Sequence, residues 1–266
     1  HFLRRSRTGW EVERTESIEG GLEVRRLIVR GPGRTLQRED SRSWAGAATA
    51  GLSWTVQRPL LADAEDIRWF VDHIPALSDE DRREMRETIT AWHQVLGERG
   101  VLAPWGFAGV FNVAAELVGM DRLYVLPYED EPLYRALMGA LTAAECEYNA
   151  ALAEAGADCI GIQGHIAGGA SVGPDFFREF VQPYERRLIE TIHAAGAFTV
   201  YHNCGCARSL YENYRELGMT VWETVAEPPR GDNSLAEAKQ LLGDRIVLLG
   251  NLDQVDFLKR ATPAEV

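Results

Sequence analysis

The stretch AFTVYHNCGC, residues 197–206, decides the fold of this chain and points to its chemistry. Ala197 to Val200 form a short apolar run that predicts a buried strand, and the polar residues after it predict a loop. His202 and Cys204 therefore stand where a strand ends. Imidazole and thiolate are ligands that zinc prefers, and catalytic residues of parallel barrels lie at that end of the strands. The stretch predicts a metal-binding junction between strand and loop.

Four similar segments surround this one, and helical patterns separate them. The five predicted strands are residues 101–107, 157–163, 197–202, 219–224 and 245–250. The predicted helices begin at Asp63, Ser78, Pro132, Pro174, Ala207 and Ser234, with an interruption of the fourth at Pro183. A glycine follows most of them, which is typical of helix C-termini.

Strands that alternate with helices predict an α/β protein whose parallel sheet is covered on both faces. A doubly wound open sheet and a closed (β/α)8 barrel both fit this pattern. No Gly-x-Gly-x-x-Gly follows a predicted strand, so a nucleotide-binding open sheet has no support. A barrel needs eight strands, of which five are countable here. The pattern alone leaves both architectures open.

The two ends of the chain differ from its middle. Gly20-Gly21 separates two extended segments, which predicts an N-terminal β-hairpin, and Gly31-Pro32-Gly33 predicts another turn. Residues 44–58 predict an irregular connection. Thr262-Pro263-Ala264-Glu265 has the N-cap, proline and acidic residue of a helix start. We therefore expect a fold that is incomplete at both termini, with at least one further βα unit after Val266.

Composition narrows the class of protein. Of the 266 residues, 45% are hydrophobic and 26% are charged, which is ordinary for a globular core. A formal net charge of -12 argues against nucleic acid as a partner. No apolar run approaches the ~18 residues that cross a bilayer, so no membrane partner is expected. The four cysteines have no spacing typical of a disulfide framework, and we expect a cytoplasmic protein.

Glu223 extends the candidate metal site. It ends the strand predicted next to the one that carries His202, and neighbouring strands lie ~5 Å apart. A carboxylate at that position can complete a third coordination position beside His202 and Cys204. A polar turn without metal is the alternative, because a His-x-Cys pair alone is a weak motif. Cys206 is expected to face the following helix and is not a predicted ligand.

Polar residues at other predicted strand ends are candidates for substrate binding. Gln163 ends the second predicted strand, and Asn251 and Asp253 follow the fifth. Because these ends meet at one mouth in a barrel, the three side chains are predicted to line a pocket. Capping of a helix that starts near residue 254 is an equal alternative for Asn251 and Asp253. His165 lies in a glycine-rich loop and is more typical of a surface residue.

Several segments together resemble the uroporphyrinogen decarboxylase superfamily. They are GVF (109–111), ELVGMD (116–121), AGAD (155–158), residues 174–184, HNCG (202–205) and LGNLD (249–253). The resemblance extends from about Pro59 to Val266. Because this superfamily shares a (β/α)8 barrel, the resemblance implies one TIM-type barrel domain over residues 1–266. Its parts would be a hairpin and connection (1–58) and a barrel part (59–266).

The branches of this superfamily differ in metal content. The branch with His-x-Cys at this strand end comprises zinc-dependent methyltransferases that act with corrinoids. The decarboxylases are metal-free and carry an Arg-Gln-Ala-Gly-Arg segment, which this sequence lacks. The resemblance therefore implies that His202, Cys204 and Glu223 hold zinc. It also implies a second cysteine ligand after residue 266.

The function expected from the resemblance is zinc-dependent transfer of a methyl group between a corrinoid (or folate) carrier and a thiol or other small-molecule nucleophile. His202, Cys204 and Glu223 are the expected catalytic residues, and a corrinoid carrier protein is an expected partner. Barrels of this kind often pair, so a homodimer is expected. The alternatives are a uroporphyrinogen decarboxylase-type lyase that acts on a tetrapyrrole, and a non-catalytic corrinoid- or haem-binding protein.

Overall fold

A computed structural model describes residues 9–44, 53–105, 109–253 and 255–265 of the chain. The chain divides into two units, His1–Leu77 with Val113–Ala144, and Ser78–Asn112 with Glu145–Val266. Within the described part, each unit contains one four-stranded sheet, antiparallel in the first and parallel in the second. None of the described helices combines the length and the apolar character needed to cross a bilayer.

The sheet of the first unit consists of antiparallel strands in sequence order. They are β1 (Glu11–Glu19), β2 (Leu22–Gly31), β3 (Arg34–Ser43) and β4 (Thr55–Arg58). The predicted hairpin is confirmed, since Glu19 pairs with Leu22 across Gly20-Gly21. The next predicted turn is confirmed by the pairing of Gly31 with Arg34. β4 falls in the stretch predicted to be irregular, whose residues 45–52 lie outside the described part.

Helix α1 (Ala64–His73) belongs to the same unit and begins as predicted. The Asp63 side chain caps it by accepting a hydrogen bond from the Asp66 N–H group (2.8 Å). Trp69 of α1 stacks on Trp10 with ring centroids 5.4 Å apart, and its Nε1–H donates to the carbonyl of Pro32. These contacts fix α1 to the turn between β2 and β3.

Four helices precede the second sheet. They are α2 (Asp79–Leu96), α3 (Val110–Val118), α4 (Met120–Glu129) and α5 (Glu131–Glu154). The capping of α2 by Ser78 and the position of α5 agree with the sequence prediction. Of the apolar side chains of α2, Met85 and Ile89 are buried, whereas Trp92 is 57% exposed. The prediction contained neither α3 nor α4, which only Gly119 separates.

The second sheet contains four parallel strands in sequence order. They are β5 (Cys159–Gln163), β6 (Phe198–Asn203), β7 (Val221–Thr224) and β8 (Val247–Leu249). All four agree with predicted strands to within two residues at each end. Their order confirms a parallel α/β arrangement in which each strand is hydrogen-bonded to the next one along the chain.

The described residues of the first predicted strand, 101–105, form no strand but pair with β5 through one isolated bridge. Trp105 forms a parallel bridge with Gly161, and the carbonyl of Leu102 accepts hydrogen bonds from the N–H groups of Asp158 and Cys159. This segment therefore continues the sheet beyond β5. Residues 106 and 107 of the predicted strand lie outside the described part.

Helices follow the strands of this sheet. They are α6 (Pro174–Phe176) with a π-helical turn (Phe177–Val181), α7 (Gln182–Ala194), α8 (Tyr211–Leu217), α9 (Leu235–Leu242) and α10 (Phe257–Arg260). The π-helical turn stands where Pro183 was predicted to interrupt a helix. Proline has no N–H group to donate to the carbonyl four residues earlier, so the helical hydrogen-bond pattern changes before it.

Aromatic side chains join the sheet to α8. The ring of Tyr214 lies 5.8 Å from that of Tyr201 on β6 and 5.2 Å from that of Trp222 on β7. All three side chains are fully buried. Side chains of this size contribute a large share of core stability, and edge-to-face rings add a smaller specific term. These contacts pack α8 against β6 and β7 on the face of the sheet opposite to His202.

An acidic side chain lies in the interior of the second unit. Glu185 of α7 is fully buried, and its Oε1 atom accepts a hydrogen bond from the N–H group of Phe111 (3.1 Å). Burial raises the pKa of Glu185 to about 8, against the opposing effect of this hydrogen bond and with a contribution from Glu145. The carboxyl group is therefore protonated at neutral pH and anchors the start of α3 as a neutral group.

This buried proton predicts a pH-dependent stability. In the unfolded chain Glu185 ionises near its ordinary pKa of 4.5, whereas the folded protein keeps the proton up to about pH 8. Stability should therefore fall by about 1.4 kcal/mol per pH unit across that interval. The Glu185→Gln variant has no such proton and should lose this contribution.

Chemical denaturation of both proteins at about pH 5.5 and about pH 7.5 measures the effect. The free energy of unfolding of the variant, relative to the native protein, should rise by roughly 2 to 3 kcal/mol between the two conditions. An equal difference at both pH values would contradict a protonated Glu185.

Candidate active site

Parallel pairing places three polar residues in one row across the second sheet. Gln163 of β5 is the register partner of His202 of β6, which in turn is the partner of Glu223 of β7. Register partners in a parallel sheet project from the same face. The Nδ1 atom of His202 lies 3.6 Å from Oε2 of Glu223, and both side chains are about one quarter exposed, at 22% and 24%. The structure therefore brings this predicted pair together.

One ring nitrogen of His202 has no hydrogen bond. Its Nδ1 atom is buried and has no hydrogen-bond partner among the described residues. Buried polar atoms are nearly always paired, so an atom from outside the protein chain is a natural partner. Zinc bonds of about 2.0 to 2.2 Å at a tetrahedral angle place two ligand atoms about 3.4 Å apart. The separation between His202 and Glu223 thus fits two ligands of one metal ion.

Cys204 lies apart from this pair. Its side chain is exposed and lines a cavity of ≈ 600 Å³, together with Thr224, Glu227, Arg230, Asn251 and Asp253. This volume lies within the range of small-molecule sites. In the part of the chain that the structure describes, no three His, Cys, Asp or Glu side chains form a metal-binding group. The predicted set of three ligands therefore stays a prediction.

The loop that carries Cys204 is held at both ends. Asn203, fully buried, donates a hydrogen bond to the Tyr214 hydroxyl and accepts one from the Gly205 N–H group (3.2 Å). Asp232 accepts hydrogen bonds from the N–H groups of Ala207 and Arg208. Sequence reasoning missed Asp232 because its partners lie about 25 residues earlier in the chain.

The predicted substrate-binding residues occupy different places. Asn251 lines the cavity and donates a hydrogen bond to Oε2 of Glu227 (2.7 Å). Asp253 also lines it, and its Oδ1 accepts hydrogen bonds from the Val255 and Asp256 N–H groups in the turn before α10. The predicted capping of a helix by Asp253 is not observed, because α10 begins at Phe257 and its N-cap residue is Asp256. The Asp256 and Val255 N–H groups and then Arg230 lower the pKa of Asp253. Gln163 is exposed in the row beside His202.

Two further rings flank His202. Trp105 contacts it edge-on with ring centroids 5.7 Å apart, and His165 does the same at 6.2 Å. Burial and then His202 lower the pKa of His165. His165 is exposed, as the sequence predicts, but its position beside His202 was not predicted. The signal that could have found it is its position two residues after Gln163, at the same edge of the sheet as His202.

The sequence model of the family described as Uroporphyrinogen decarboxylase (URO-D) matches residues 55–266. The chain therefore belongs to the uroporphyrinogen decarboxylase family, and the predicted resemblance is confirmed. The enzymes that it resembles are of two kinds, methyltransferases and decarboxylases.

One relative of each kind illustrates this division. The methylcobamide:CoM methyltransferase MtaA of Methanosarcina barkeri is 28% identical over 150 residues, which cover 55% of this chain and 41% of the relative. The uroporphyrinogen decarboxylase of Thermus thermophilus is 35% identical over 160 residues, which cover 58% of this chain and 44% of the relative. The chain thus matches less than half the length of either relative.

A solved structure shows the same fold. A methyltransferase from Methanosarcina mazei superimposes with a TM-score of 0.63 at 23% sequence identity. The match covers 79% of this chain and 59% of that structure. At this identity the likeness concerns the fold alone.

Gly164, between Gln163 and His165, provides a test of how the site is supported. A Cβ atom there would lie 2.0 Å from the hydroxyl of buried Tyr201, so the Gly164→Ala variant must displace one of them. Its φ of -116° suits alanine, so the strain is one of packing. We expect a loss of about 1 to 3 kcal/mol in the free energy of unfolding.

Gly173→Ala is the matched control, because a Cβ atom there would meet nothing within 4 Å. Denaturant titration of the two variants measures the difference. Equal stabilities would show that Tyr201 does not support the backbone after β5.

Proposed function

We propose that this protein is a zinc-dependent methyltransferase that moves a methyl group between a corrinoid (or folate) carrier and a thiol or other small nucleophile. The observation that carries the proposal is the pair formed by His202 and Glu223. The buried Nδ1 atom of His202 lies 3.6 Å from Oε2 of Glu223 and has no hydrogen-bond partner among the described residues. The similarity to a methylcobamide:CoM methyltransferase supports the same conclusion.

The proposal includes a (β/α)8 barrel that forms a single domain. The segment that bridges to β5 at Trp105 and strands β5 to β8 follow one another in space as they do in sequence. A barrel requires this order for all of its strands. The TM-score of 0.63 to a solved methyltransferase supports the same architecture. In this arrangement His202, Glu223 and the cavity beside Cys204 lie at the catalytic end of the barrel.

The chemistry of the donor set fits zinc. Imidazole, carboxylate and thiolate are all zinc ligands, and a catalytic zinc site keeps one position open for a substrate. His202 and Glu223 would hold the ion, and Cys204 would join them by turning from the cavity wall. When bound, zinc keeps a thiol acceptor ionised at neutral pH.

The remaining steps depend on groups of this chain and on the substrates. The cavity of ≈ 600 Å³ beside Cys204 accommodates a small acceptor, with Asn251 and Arg230 on its wall. The sulfur of the acceptor forms a bond to the methyl carbon as the bond between methyl and donor breaks, and the electron pair stays on the donor. Because the attack is in line, correct positioning supplies much of the rate. A corrinoid exceeds this cavity, so it would be presented by a carrier protein.

Replacement of Cys204 tests the metal site. The Cys204→Ser variant should lose zinc and methyl transfer from methylcobalamin to a small thiol together. The affinity for zinc should fall by more than the ~10- to 100-fold typical of a lost outer hydrogen-bond partner. Elemental analysis and the transfer assay on the same preparations provide the measurement.

Cys206→Ser is the matched control, because Cys206 lies on the same loop and is half-buried. It should keep both zinc and activity. Full zinc content in the Cys204→Ser variant would refute the assignment of this ligand. A native protein with zinc but without turnover would favour the non-catalytic alternative.

A decarboxylase is the second candidate. It is supported by the 35% identity to the uroporphyrinogen decarboxylase of Thermus thermophilus, which exceeds the 28% to MtaA. This reaction would release carbon dioxide from a porphyrinogen and would require no metal. Native protein that is free of zinc and decarboxylates a porphyrinogen would establish it and exclude the methyltransferase.

A further inference from the structure

Asn112 determines which nitrogen of His165 carries the proton. The side-chain oxygen of Asn112 accepts a hydrogen bond from the Ile166 N–H group (3.2 Å), and a backbone N–H can only donate. The amide NH₂ of Asn112 therefore points to Nδ1 of His165, at 3.3 Å. Because that amide group donates, Nδ1 must accept. The proton of the neutral ring then lies on Nε2.

Asn112 itself is firmly placed. It is 1% exposed and follows Phe111, whose N–H group donates to the buried carboxyl of Glu185. Three residues before Asn112, the N–H group of Gly109 donates a hydrogen bond to the carbonyl of Gln163 (2.7 Å). A Cβ atom at Gly109 would lie 2.6 Å from that same carboxyl group, so only glycine fits this approach. The segment before Asn112 is thus tied to both α7 and β5.

The opposite edge of the His165 ring is available. Residue 165 is exposed, and its Nε2 atom makes no hydrogen bond to any residue that the structure describes. The ring also lies beside His202, with centroids 6.2 Å apart. A single N–H donor of fixed direction therefore stands next to the predicted metal ligand.

We propose that His165 binds the methyl acceptor by donating its Nε2–H to an oxygen of a carboxylate or similar oxyanion, and that Asn112 is the positioning residue that fixes this tautomer. The inference rests on the proposed function for the identity of the ligand. It does not rest on it for the tautomer, which the contacts of Asn112 determine alone.

The tautomer can be measured without turnover. Histidine labelled with ¹⁵N gives distinct long-range ¹H–¹⁵N correlations for the two neutral tautomers, and the His165→Gln variant assigns the signal. We expect protonation at Nε2 in the native protein. In Asn112→Asp the group facing Nδ1 can only accept, so the proton should move to Nδ1. His193, whose Nε2 contacts Thr199 and Thr220, is the internal reference and should not change.

Two outcomes would overturn the positioning role. One is an Nδ1–H tautomer in the native protein. The other is an unchanged His165 signal in a folded Asn112→Asp variant. If that variant does not fold, Asn112→Leu replaces it, and the native tautomer should then become a mixture.

Substrate contact is tested with a matched pair of thiols. The His165→Leu variant should raise KM about 10-fold for 3-mercaptopropionate, which has a carboxylate, since a hydrogen bond to a charged group is lost. The KM for 1-propanethiol, which has no carboxylate, should rise by a much smaller factor, so the ratio of the two KM values carries the result. Equal effects on the two thiols would refute the contact.

Methyl transfer and the tautomer of His165 are measured independently. If the native protein transfers no methyl group, the proposed function fails, while the tautomer measurement still decides the role of Asn112. If the native protein is active and His165→Leu behaves like it with both thiols, only the proposed contact fails.

Discussion

The hydrogen bonds of β6 with both of its neighbours are the constraint on which the candidate site depends. They set His202 opposite Gln163 on one side and opposite Glu223 on the other. A shift of one residue in either register would turn the whole strand over and place His202 among the helices. The position of the His202–Glu223 pair therefore follows from backbone pairing, before any side chain contributes.

Alternate side chains of β6 point to opposite faces of the sheet, so the residues that pack against the helices are separated from the residue at the candidate site. Tyr201 and Asn203 project to the helical face, where both contact Tyr214 of α8. His202 lies between them and projects to the other face, toward Glu223. The two buried residues thus hold the strand at alternate positions, and the side chain between them projects to the opposite face. The protonated Glu185 likewise holds a backbone segment in place, since its carboxyl group accepts a hydrogen bond from the Phe111 N–H group.

The sequence predicted the parallel strands, the N-terminal hairpin and the position of Glu223 on the strand next to that of His202. Strands and caps depend on short-range patterns, and the register followed from placing both residues at strand ends. The sequence did not predict two contacts, that of Asp232 with the loop of Cys204 and that of Asn112 with His165. These contacts join segments that are 24 to 53 residues apart, and no local pattern marks them. The exposure of Trp92 likewise depends on which elements cover α2.

Gln163, His202 and Glu223 lie in one row, and each of them belongs to a different βα unit. A substitution at one strand end changes a single member and leaves the others on their own strands, and insertions in the intervening loops leave the spacing intact. Such a layout is modular. One scaffold of this kind can carry different side chains at its strand ends without a change of backbone, in keeping with the general rule that one fold hosts several chemistries.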